Sequence, residues 1–101
     1  MDNKSIHMID ECGRVLLPAK LRGQIGLQAS GSLTALVYVM DKYIVLFKRQ
    51  DGELALDELG RICIPQTTLK QLQWGERDKL AVAVNVREGT IMLSMYEKYE
   101  G

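Results

Sequence analysis

Apolar and polar residues alternate over short spans of this chain, and the spacing turns helical in two places. Ser5–Ile9 alternates, with Ile6 and Met8 on one face and His7 and Ile9 on the other, which predicts a strand. Asp10-Glu11-Cys12-Gly13 reads as a turn, started by acidic residues and closed by a permissive glycine. Arg14–Leu17 resumes as a strand of apolar, partly β-branched residues. Pro18 stops the ladder and fits the first turn of a helix, where a missing N–H does no harm. Leu21 and Ile25 are four apart and give that helix one apolar stripe, and Gly26 is placed to end it. Gln28–Ser32 is a small polar loop, and Leu33–Val39 with Tyr43–Lys48 forms a hairpin turning at Met40-Asp41-Lys42.

The same order then recurs. Leu56-Asp-Glu-Leu-Gly-Arg-Ile-Cys-Ile-Pro65 repeats Ile9-Asp-Glu-Cys-Gly-Arg-Val-Leu-Leu-Pro18 at an offset of 47 residues. That offset also carries Gln24 to Gln71, Val37 to Val84, Ile44 to Ile91 and Leu46 to Leu93 without a gap, the mark of a duplication. The second half is expected to hold strands Glu53–Leu56 and Arg61–Ile64, a helix near Thr67–Leu72, and a hairpin of Leu80–Val86 with Ile91–Tyr96. Trp74 takes the place of Leu27 and is expected in the core. Glu97–Gly101 is expected to fray.

The class is therefore mainly β with two short helices. Halves 1–50 and 51–101 are joined by the short linker Arg49–Gly52. A half of about fifty residues buries too little apolar surface to stand alone. The two β-β-α-β-β repeats are accordingly expected to pair into one small barrel with pseudo-two-fold symmetry, which also hides the hairpin edges.

Charge narrows the function. Thirteen basic and thirteen acidic residues cancel, which argues against indiscriminate polyanion binding. Residues 1–50 nevertheless carry seven basic against four acidic groups, and 51–101 six against nine, so one half is basic and the other acidic. The N-terminus lacks the apolar run of a signal peptide and no stretch is long enough to span a bilayer, so a cytoplasmic location is expected. Cys12 and Cys63 share no metal-ligand spacing with His7, and Cys63 reads as a small buried hydrophobe between Ile62 and Ile64. Neither a nucleophile–His–Asp set, nor paired catalytic carboxylates, nor a phosphate-cradling glycine loop can be found. No enzyme activity, metal or cofactor is expected.

The run Asp10-Glu11-x-Gly13-Arg14-Val15-x-Leu17-Pro18-x-x-Leu21-Arg22-x-x-Ile25-Gly26-Leu27 resembles the AbrB/SpoVT-type family of bacterial DNA-binding regulators. The resemblance covers residues 4–49 and, more weakly, 52–96, and the doubling is similar to the tandem arrangement of MraZ-type regulators. It implies a swapped-hairpin β-barrel, transcriptional regulation, double-stranded DNA as partner, and arginine contacts near the turn and helix. On that basis Arg14 and Arg22 are the first candidates for DNA contact, with Lys20, Arg61, Lys70 and His7 beside them. Leu69 stands where the first half has Arg22, and Leu54 where it has His7. Arg14 and Arg61 each follow an aspartate by four residues, so pairing with it is an alternative use for either guanidinium. Few basic groups per chain imply a homo-oligomer on DNA. The alternative is an antitoxin-like or oligomerisation module that has lost strong DNA binding.

Overall fold

Each half contributes short strands, a helix and a hairpin, but neither half pairs its own leading strand with its own hairpin. The computed structural model describes residues 3–97; the frayed end expected over 97–101 lies outside them beyond Glu97. The first half contains β1 (Lys4–Met8), β2 (Arg14–Leu16), α1 (Ala19–Gln24), β3 (Ser32–Tyr38) and β4 (Tyr43–Lys48). The second contains β5 (Leu54–Ala55), β6 (Arg61–Cys63), α2 (Gln66–Leu72), β7 (Lys79–Asn85) and β8 (Thr90–Met95). The protein is thus mainly β with two short helices.

Six strands form a curled antiparallel sheet in the order β1-β7-β8-β4-β3-β5, and β2 pairs with β6 as a separate ribbon. β1 lies on the second half's β7, β5 lies on the first half's β3, and β4 joins β8 at the centre. The edge strands β1 and β5 do not pair with each other, so the sheet is a half-barrel. The ribbon covers its inner face: Ile62 and Ile64 line the same space as Ile44, Leu46 and Leu93.

The duplication is written into the register. Exchanging the halves turns His7↔Leu80 into Leu33↔Leu54 and Ile44↔Leu93 into Leu46↔Ile91, all observed pairs. Val15↔Ile62 and Val45↔Met92 are each their own image. A pseudo-two-fold axis therefore enters through the ribbon at Val15–Ile62 and leaves through the sheet at Val45–Met92.

Both halves build one core. Val15 and Ile62 of the ribbon, Leu46 and Leu93 of the hairpins, and Leu21, Leu69 and Leu72 of the helices are buried together, and Trp74 is buried with them. Among the described residues no buried side chain is charged. The carbonyl of Pro18 accepts the first helical bond of α1, from Arg22 N–H, and Pro65 does the same for Leu69 in α2. α1 stops at Ile25 and the left-handed Gly26. α2 stops at Gln73, the repeat equivalent of Gly26, in the same left-handed conformation (φ +60°).

Two expectations need correction. Cys63 is exposed, because β6 alternates and only Ile62 points inward. β5 is only Leu54–Ala55: Glu53 leaves the ladder, and its carboxylate instead accepts from the Ala35 N–H (3.0 Å) and the Thr34 hydroxyl. The linker is a tight turn, with Gly52 N–H donating to Arg49 O (3.0 Å) and Ser32 Oγ (3.0 Å). No helix among the described residues is long and apolar enough to cross a membrane.

Candidate nucleic-acid interface

Asp10 organises the turn ahead of β2. Its Oδ1 accepts the backbone N–H groups of Cys12 (2.9 Å) and Arg14 (2.8 Å), and its Oδ2 accepts Nε–H of Arg14 (2.7 Å). An aspartate suits the place because one carboxylate can close the turn and hold the arginine that follows it. Gly13 carries a positive φ of 77°, which the geometry needs. The second half reproduces the arrangement: Asp57 accepts the N–H groups of Leu59 (2.9 Å) and Arg61 (2.8 Å) and Nε–H of Arg61 (2.7 Å), with Gly60 at φ 81°.

The ribbon brings the two turns together. Arg14 pairs with Cys63 and Leu16 with Arg61, while Val15 and Ile62 point inward, so all four of the former lie on the ribbon's outer side. Arg61 Nη1 also reaches Asp10 Oδ2 at 3.9 Å, linking the pairs across the pseudo-two-fold axis. The arginine side chains are 33% and 27% exposed. In each, Nε is held by an aspartate, which fixes the plane of the fork.

Electrostatics maintain the pairs. Burial works to raise the Asp10 pKa, but the N–H bonds of Arg14 and Cys12 and the Arg14 guanidinium outweigh it, so the carboxyl sits below its ordinary range. Asp57 is lowered chiefly by the Arg61 N–H. The bond to Asp10 raises Arg14 in turn.

Arg22 is used differently. Its Nε donates to Leu17 O (2.7 Å), and its guanidinium covers the other half's Gly60. The side chain is half-buried. Leu69, its repeat equivalent, covers Gly13 in the same manner. Lys20 and Lys70 are exposed on α1 and α2. His7 is half-buried on β1, with Ser5 Oγ 2.7 Å from its Nε2, and it joins none of the arginine–aspartate ion pairs. Burial lowers its pKa, which disfavours the charged form.

The structure therefore gathers Arg14 and Arg61 directly, sets Arg22 against the second turn, and keeps His7 apart. Sequence reasoning missed Leu16 and Cys63 as outward neighbours of the arginines; the alternation about Val15 and Ile62 was the available signal. Among the described residues no group of three or more His, Cys, Asp or Glu side chains could hold a metal ion. No protein-family model matches the chain, and a search of curated proteins finds no match.

Proposed function

We propose that this chain is a bacterial DNA-binding transcriptional regulator of the AbrB/SpoVT type, a swapped-hairpin barrel made from tandem halves, with the ribbon's outer side meeting the duplex. One observation carries the reading: twin Asp–Arg pairs straddle a two-fold axis on the ribbon's outer side, each guanidinium oriented through its Nε. A duplex has local two-fold axes of its own, and paired protein elements match them. Arginine forks suit phosphate oxygens and guanine edges, and the exposed Lys20 and Lys70 suit phosphates. Arg22 lies beside the second turn, with its Nε bonded to Leu17 O and its guanidinium against Gly60. A nucleoid-associated, cytoplasmic location goes with this reading, as does more than one chain per DNA.

Gel shift with mixed genomic fragments over a salt series tests it. Affinity is expected to fall with salt with a log–log slope of about −0.9 per phosphate neutralised. Arg14→Ala with Arg61→Ala should weaken binding at least tenfold and flatten that slope by roughly one unit per lost contact. Undiminished binding by this variant removes the ribbon as the site. Absence of binding at every salt concentration removes the function and leaves an oligomerisation or protein-interaction module. That second reading is favoured by one feature, the exposed apolar face of the sheet.

A further inference from the structure

The outer face of the six-stranded sheet is apolar, and its two sides differ in size. Leu36, Val45, Met92 and Ala83 form one rung across β3, β4, β8 and β7; Tyr38, Tyr43, Ser94 and Ala81 form the next. The β3/β4 side is a ridge. Leu36 is 48% and Tyr38 40% exposed, and Tyr38 stacks on Tyr43 with ring centroids 4.5 Å apart. The β7/β8 side is low: a groove of about 620 Å³ opens there, lined in part by Ala83, Met92 and Val45. By the repeat, Leu36 and Ala83 are equivalent positions, so the difference in size breaks the internal symmetry. Charged groups meet this face at its rim, at Lys4, Lys79, Arg49, Glu53 and Glu88.

We propose that a second copy of this chain covers this face, related by a two-fold axis parallel to the strands along the β4–β8 seam. That rotation lays β3 of one copy over β7 of the other. Leu36 then meets the partner's Ala83, large against small, while Val45 meets the partner's Met92. A two-fold axis across the strands would instead set Leu36 on Leu36 and leave the grooves empty. Laid flat, strand spacing and rise would make the face roughly 25 × 20 Å, so two copies cover at most about 1,000 Å², the lower limit for specific interfaces. A charge-poor centre bearing Met and Tyr is the composition such interfaces have.

The dimer has a consequence that rests on the DNA-binding reading. The pseudo-two-fold axis leaves each copy through Val45–Met92, the middle of this face, and enters at the ribbon. Joining copies back to back therefore turns the two Arg14/Arg61 surfaces in opposite directions. Such a dimer holds two duplexes, or two segments of one, on opposite sides.

Sedimentation over a concentration series, without DNA, tests the interface. The wild type should be a dimer. Leu36→Ala opens a gap and Ala83→Leu sets ridge against ridge; each should weaken association roughly tenfold. The two together rebuild ridge and groove on exchanged sides and should recover most of the loss, which misfolded chains could not do. Leu36→Glu, at an exposed position, should give a monomer with an unchanged strand signal by circular dichroism. A monomeric wild type, a dimer indifferent to these changes, or a double variant weaker than both singles overturns the proposal. Capture of a labelled duplex on an immobilised one then reads bridging, which Leu36→Glu should abolish while single-duplex binding remains. A dimer that follows all the variants but binds no DNA would remove the DNA-binding reading and leave the interface standing.

Discussion

The guanidinium of Arg22 rests on Gly60, the turn glycine of the opposite half, so closely that a Cβ there would lie 2.9 Å from Nη2. Leu69 rests on Gly13 in the equivalent place, with its Cδ1 3.1 Å from such a Cβ. Each helix thus covers the turn of the other half, and one of the two does so with a charged group. Arg22→Leu copies the second half's solution. Its expected outcome is a fold stable to within about 1 kcal/mol of wild type by urea denaturation, together with weaker duplex binding under the proposed function. Arg22→Ala should lose both, because it uncovers Gly60 and deletes the bond to Leu17 O.

Acid should loosen the turns. Asp10 and Asp57 have folded pKa values below their ordinary one. Their contribution is therefore complete above the unfolded value of about 3.9 and is lost as pH falls through the folded values. Burial depresses His7 as well, so its share is complete above about pH 6.5 and declines below it. Thermal melts should show a shallow decline beginning near pH 6.5 and a steeper one below about pH 4. His7→Gln should remove the first, and Asp10→Asn with Asp57→Asn should flatten the second while lowering the midpoint at neutral pH.

The two sides of the shared core pack unequally, and the repeat shows how to even them. A cavity of about 190 Å³ lies on one side of the pseudo-two-fold axis, lined by both halves, in part by Ala35, Val37, Thr68 and Leu54. Val82 and Leu21, both buried, occupy the places equivalent to Ala35 and Thr68 on the other side of the axis. Ala35→Val and Thr68→Leu should each stabilise by about 0.5–1 kcal/mol, and the pair should raise the melting temperature by several degrees. An unchanged melting temperature in the pair would mean that the cavity closes in solution.

Gln73 holds a left-handed conformation where its repeat equivalent is a glycine. Its side chain accepts a hydrogen bond from Lys42 Nζ (2.8 Å). Gln73→Gly should still be stabilising, by about 0.5–1 kcal/mol, because relief of the backbone outweighs one exposed hydrogen bond. Urea denaturation of Gln73→Gly beside Gln73→Ala separates backbone relief from loss of the Lys42 bond.

Much of the fold was legible because the chain states it twice. The prolines at 18 and 65 place both helices, Leu21 and Ile25 mark the buried side of α1, and the β-rich pairs mark both hairpins. The site was legible in part. Asp10 and Arg14, four apart across a glycine turn, announced a pair that the structure forms. Cys63 misled, since an apolar run of three residues hides a strand's alternation. Arg22 was read from its own helix, and nothing local reveals a glycine of the other half beneath it.

What the order of residues determined by itself was a repeat, its period and the kind of each element, since turns, caps and alternation act over a few neighbouring residues. Which half pairs with which was decided only by the tertiary structure. β1 could in principle have met its own hairpin or the other one, and burying both apolar faces in one core selected the exchange. The same selection carried Arg14 and Arg61, distant in the chain, to either side of one axis, and left Leu36 and Ala83 facing away from the core on opposite flanks of the sheet.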